Sequence, residues 1–152
     1  MPLTAHGIPE ILALGGRDLG HSGWKEVTQE LIDAYAEVSG TIGGSTPTPP
    51  APADGPYGRT IAHGCMLLSW GIPMFGELLK VTGAGRALNY GVDRVRYPAP
   101  VPVGSRVRLH ASVAEVEEVA RGGVRMTRAF TFELEGSVKP ARVAQSPTHF
   151  HP

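Results

Sequence analysis

His63 and Gly64 stand together at the head of an apolar run, IAHGCMLLSWGIPMFGELL, in a chain of 152 residues. A glycine amide at a helix start is an open donor for a carbonyl, helped by the dipole of the turns behind it. Histidine titrates close to neutrality and can move a proton there, or it can simply hydrogen-bond a loop and order the helix start. Upstream, the segment TIGGSTPTPPAPAD (41–54) lies where an acid–base pair is expected, yet Asp54 is its only ionisable side chain. Asp54 reads as a turn or cap residue, with catalysis the alternative. Thr41, Ser45, Thr46 and Thr48 offer hydroxyls, which either bind a neutral oxygenated ligand or solvate a Pro-rich loop. Tyr57 and Tyr90 carry phenols that could meet a carbonyl, or pack in a core or interface. Ile61, Met66 and Trp70 are wall material for a hydrophobic substrate.

Other reactive side chains give weaker signals. Cys65 follows Gly64, where a thiol's pKa can fall, although a small apolar packing role fits it as well. His149 and His151 share one strand face, but two ligands at a chain end make a poor metal site, so no metal is expected. Arg94, Arg96, Arg106 and Arg108 read as a solvated strand face rather than a phosphate site. Nothing calls for a cofactor.

The elements that must hold these residues follow from periodicity. Residues 1–23 are Gly-rich and weakly patterned and read as an arm lying on the body. A short strand is expected at 24–27. Thr28 is an N-cap for a helix over 29–38, with Leu31, Ile32, Tyr35, Ala36 and Val38 on one face, and Gly40 ends it. The Pro/Gly-rich stretch 41–59 reads as a loop over a pocket. A helix over 61–79 has no polar face, which marks it as enclosed, and Pro73 kinks it after Gly71. From Gly85 the period becomes two. Val107, Leu109, Ala111 and Val113 form one strand, whose alternation slips at Ala114 as at a bulge. Val124, Met126, Phe130, Phe132 and Leu134 form another, with turns at Arg121-Gly-Gly and Glu135-Gly-Ser. Residues 86–96 and 139–150 complete the long strands. One helix wrapped by an antiparallel sheet is an α+β arrangement in a single domain, 1–152.

The bulk numbers agree with one such domain. Fourteen basic residues balance fourteen acidic ones, so neither nucleic acid nor an anionic membrane surface is expected as a partner. The single cysteine excludes an internal disulfide, and with no apolar run of spanning length and no leader pattern the expected home is the cytoplasm.

The stretches VTQELIDAYAEVSG (27–40), GPYGRTIAHG (55–64) and LNYGVDRVRYPAPVPVGSRVR (88–108) resemble the MaoC-like dehydratases, the family that contains the (R)-specific enoyl-CoA hydratases. The resemblance implies a hotdog fold, a homodimer whose sheets join edge to edge, and a pocket for an acyl thioester. It also implies that the Gly64 amide donates to the thioester carbonyl. In the family's hydratases an aspartate directly follows the glycine that ends the first helix, with a histidine five residues later. Gly40 matches that glycine. Thr41 then stands at the aspartate position, Thr46 at the histidine position and Thr48 at a further acidic one.

Threonine hydroxyls cannot do the work of that pair. The first expectation is therefore a repurposed enzyme of specialised, polyketide-type metabolism. It would cyclise, in a pericyclic step, or eliminate on a hydrophobic oxygenated substrate by cavity shape and carbonyl polarisation. Two alternatives stand beside it: an acyl-thioester hydratase or dehydratase that uses His63, and a noncatalytic hotdog subunit that binds thioesters.

Overall fold

The computed structural model describes residues 1–41 and 60–152. Along the chain run β1 (Leu3–His6), α1 (Gly7–Leu12), β2 (Asp18–His21), β3 (Lys25–Glu26), α2 (Gln29–Ser39), α3 (Gly64–Ser69) and α4 (Gly71–Gly76). They are followed by β4 (Leu79–Thr82), β5 (Arg86–Asn89), β6 (Asp93–Arg96), β7 (Arg106–Val119), β8 (Gly123–Leu134) and β9 (Arg142–His151). The main sheet has the order β2-β7-β8-β9-β5, with β3 also on β7 and β6 also on β9. All its pairings are antiparallel. The α+β expectation holds, and the sheet wraps the α3–α4 segment as a hotdog.

Strand periodicity explains the core. Val107, Leu109, Ala111 and Val113 on β7, and Met126, Phe130 and Phe132 on β8, all point inward and are buried. They pack against Met66, Leu67, Trp70, Met74 and Phe75 from the helical segment. The β7–β8 register shifts between Val113 and Glu115, where the alternation slips at Ala114. Arg121 (φ 62°) and Gly122 (φ 69°) turn the chain between β7 and β8, both in the left-handed region.

Three expectations are corrected. Residues 1–23 are not an arm. β1 pairs in parallel with β4, β2 pairs with β7, and Ala5, Ile11 and Leu14 are buried in the core. Short apolar insertions among glycines carry too little pattern for this to be visible. The helix over 61–79 is shorter and is split: it starts at Gly64, is interrupted at Trp70 and ends at Gly76. Pro73 has no N–H to give the Ser69 carbonyl and its ring crowds that carbonyl, so the break lies before Gly71 rather than after it. Trp70 keeps helical angles and its carbonyl accepts from Met74 N–H at 3.0 Å, so the direction is held. The segment is not fully enclosed either. Cys65 and Ile72 are exposed and Leu68 is half-buried.

Candidate functional site

The head of α3 is held by strand-like pairing of the segment before it. Ala62 N–H donates to the Val101 carbonyl and Val103 N–H to the Thr60 carbonyl, both at 2.8 Å, and Ile61 and Pro102 form a bridge. This clamp joins the segments PAPVPVG and RTIAHG. Arg142, 3 % exposed, closes it from β9. Its Nη1 donates to the carbonyls of Ala99 (2.9 Å) and Ala141 (2.6 Å), and its Nη2 to that of Ala62 (3.5 Å). Thus three carbonyls, not a carboxylate, take the Nη donors of this buried guanidinium, Nε has no partner among the described residues, and burial depresses its pKa.

His63 occupies the N-cap position without capping the helix through its side chain. The ring is 6 % exposed and lies against Tyr35 of α2, with centroids 5.1 Å apart. Neither Nδ1 nor Nε2 has a hydrogen-bond partner among the described residues. Burial pushes its pKa below the ordinary imidazole value. The Thr41 backbone carbonyl opposes that in part, without reaching the ring in hydrogen-bond geometry. His63 is therefore a neutral imidazole near pH 7, with both ring nitrogens open among the described residues. Beyond Thr41, the loop that the ring is expected to hydrogen-bond lies outside the described residues.

Gly64 opens α3, so its N–H has no intrahelical acceptor. Its Cα faces the Tyr97 ring so closely that an added Cβ would lie 2.9 Å from ring carbons. This close approach is what the position demands of glycine. Tyr97 Oη lies 3.7 Å from Cys65 Sγ, and Arg142 Cζ lies 4.9 Å from the ring centroid. Burial raises the Tyr97 pKa, so the phenol stays protonated and can donate. Tyr97 was missed from sequence. Its signal was its place in RVRYPAP, a tyrosine before proline in the most specific stretch.

Other residues fall as follows. Thr41, just beyond α2, is exposed, and its hydroxyl accepts from Ser39 Oγ at 3.1 Å. Ser45, Thr46, Thr48, Asp54 and Tyr57 lie outside the described residues. Ile61, Met66 and Trp70 are buried. Met66 and Trp70 belong to the main core, and Lys25 Nζ sits 4.0 Å from the Trp70 ring centroid. In the apolar groove beside the helical segment, the wall is instead made by Cys65, Leu68, Ser69 and Ile72. These share one face at helical spacing, turned away from the face that Met66 and Trp70 bury. Cys65 accordingly is an exposed thiol, not a packing residue. Tyr90 lines the same groove, half out in solvent and stacked on His149 at 4.2 Å. Arg106 and Arg108 pair with Glu135 and Glu133. Among the described residues no group of histidine, cysteine and acidic side chains could hold a metal.

Residues 12–131 match the family model described as a MaoC like domain, and the chain belongs to that family. It is 41% identical over 143 residues to 3-hydroxyacyl-thioester dehydratase Z of Mycobacterium tuberculosis, spanning 94% of this chain and 95% of that protein. The fold matches a monoamine oxidase regulatory protein from Archaeoglobus (TM-score 0.81, 17% identity, 100% of this chain and 99% of that one). It also matches the (R)-hydratase from A. caviae involved in PHA biosynthesis (TM-score 0.69, 18% identity, 88% of this chain and 96% of that one). No helix among the described residues is long and apolar enough to cross a membrane.

Proposed function

We propose, with membership of the MaoC-like family as the premise, that this chain is a lyase acting on acyl thioesters. It interconverts a β-hydroxyacyl and an α,β-unsaturated acyl thioester by loss or gain of water. The observation that carries this reading is the neutral His63 imidazole, unpartnered among the described residues, directly before the Gly64 amide. Its similarity to dehydratase Z supports the substrate class.

In the dehydration direction, the Gly64 N–H donates to the thioester carbonyl and stabilises the enolate that forms on it. The neutral His63 ring takes the proton from the α-carbon. The imidazolium then gives that proton to the departing β-hydroxyl, which leaves as water while the carbon–carbon double bond forms. Atoms balance, and one base serves both steps. Positioned acid–base help supplies on the order of 10²–10⁴ in rate, and one oxyanion donor on the order of 10²–10³. The reaction takes no cofactor. We place the enzyme in the cytoplasm and, on the strength of the exposed Leu88 on the β5 edge, as a homodimer.

A crotonyl-CoA hydration assay tests it. Wild type hydrates well above background, and His63→Ala loses about 10²-fold or more. Equal rates for the two proteins overturn the role of His63.

One observation favours a second reading. Thr41 stands where α2 ends, with its hydroxyl engaged by Ser39, so that position holds no carboxylate. A cavity that polarises a carbonyl without moving protons suits a shape-driven ring closure of an oxygenated, polyketide-like chain. Binding of thioesters with no hydration of any would turn the choice to that reading or to a noncatalytic subunit. Turnover of a linear polyene substrate separates those two.

A further inference from the structure

The inward face of β8 runs Val124, Met126, Arg128, Phe130, Phe132, so a guanidinium stands where the alternation calls for an apolar side chain. Arg128 is 4 % exposed, and no carboxylate reaches it among the described residues. It lies over the Phe75 and Phe130 rings at 5.0 and 5.3 Å. Its Nε donates to the Ser146 carbonyl at 3.2 Å. Its Nη2 donates to Ser146 Oγ at 2.7 Å and to Asn89 Oδ1 at 3.3 Å. Nη1 has no hydrogen bond among the described residues. Desolvation brings its pKa down to about 10, which still leaves it charged at neutral pH. The charge is thus buried without an acid, and its hydrogen bonds lead to two neutral side chains.

Those bonds set the polarity of what lies beyond them. Arginine only donates, so the Asn89 atom facing it is the carbonyl oxygen. The same oxygen accepts from Thr148 Oγ1 at 3.5 Å. Asn89 therefore turns its N–H₂ away from Arg128, and Ser146, accepting at Oγ, keeps its own proton to give. Neither donor has a partner among the described residues. Asn89 and Ser146 both line the groove beside the helical segment, about 450 Å³ in volume, whose other walls include Leu68, Ile72, Val92 and Phe130. Ser146 is 5 % exposed, so its hydroxyl is a built part of the wall and not a surface group.

We propose that Asn89 and Ser146, backed by Arg128, form a subsite for an oxygen acceptor, a carbonyl or carboxylate oxygen, on an otherwise apolar acyl chain lying in this groove. Cys65, which lines the groove, directly follows Gly64 in the chain, so the groove begins within one residue of the carbonyl-polarising amide. This deepens the lyase reading and rests on it for the thioester: the favoured substrates carry a second oxygen function along the chain. Arg128 acts through Ser146 and Asn89 as a positioning residue.

Displacement of a fluorescent fatty-chain probe from the full-length protein tests the subsite directly. Octanoate should displace it at about a tenfold lower concentration than octylamine, the worth of one charge-assisted hydrogen bond. Asn89→Leu with Ser146→Ala should bring the two ligands within about threefold, while the probe still binds. Arg128→Met should do the same, and the Asn89 and Ser146 variants keep the test valid if Arg128→Met fails to fold. Equal displacement by both ligands in the wild type, or an unchanged preference in the double variant, overturns the proposal. Crotonyl-CoA hydration by the wild type is measured alongside. Turnover without head-group preference removes the subsite alone, whereas preference without turnover removes the lyase reading and leaves the subsite standing.

Discussion

Replacing His63 by leucine, a residue of similar volume, should make the protein more stable and destroy its activity. The ring is 6 % exposed, and neither of its two nitrogens has a partner among the described residues. A buried donor or acceptor left unsatisfied costs about 1–3 kcal/mol, and an apolar side chain of the same shape removes that cost. Some packing on Tyr35 is lost in exchange. The net expectation is a gain of about 1–2 kcal/mol for His63→Leu at neutral pH. The gap should widen in acid. Burial holds the folded-state pKa of His63 below its unfolded value, so below about pH 6.5 the unfolded chain binds a proton that the folded chain refuses. Wild-type stability contributed by this group is present above that pH. It is lost as pH falls toward the folded pKa, at up to about 1.4 kcal/mol per pH unit. The leucine variant has no such slope. Urea unfolding of both proteins from about pH 8 to about pH 5.5 measures the difference. A leucine variant less stable than wild type by more than about 1 kcal/mol, or a gap that does not change with pH, would refute the reasoning. Either result would mean that the imidazole is satisfied in the folded protein.

Further outcomes follow from other positions. Gly64→Ala drives a methyl group into the Tyr97 ring, and crotonyl-CoA hydration should fall by about tenfold or more as the carbonyl seat shifts; a normal rate would place the carbonyl elsewhere. Phe132→Ala empties a fully buried site and should cost about 3–5 kcal/mol in urea unfolding. Arg121→Gly relieves a left-handed turn residue and should add about 1 kcal/mol. Leu88→Arg places a charge on the exposed apolar edge, and light scattering should report a dimer for wild type and a monomer for the variant.

Much of the scaffold was legible because it rests on short-range rules. Thr28 accepts from Leu31 N–H and Gly40 takes φ 71°, as a cap and a C-terminal stop should. The strand alternation located β7, its bulge and β8 without knowledge of the fold. The N-terminal residues failed because their contribution is a parallel pairing with β4, some seventy-five residues away along the chain (Leu3 with Leu79). No local periodicity encodes such a pairing. Cys65 was misread for a related reason: a helix that is apolar on all faces does not say which face the sheet will cover.

At the site, the sequence by itself determined which reactive groups exist: a histidine and a glycine at one helix start, a threonine directly after the glycine that ends α2, and few other candidates. Those are matters of composition and order. Only the tertiary structure decided their states. Burial made His63 neutral, with its nitrogens open among the described residues, a strand pair set Gly64 against Tyr97, and β8 and β9 brought Arg128 and Ser146 together with Asn89. Solvation and partnership depend on what the folded chain places around a group, and residues distant in sequence supply that.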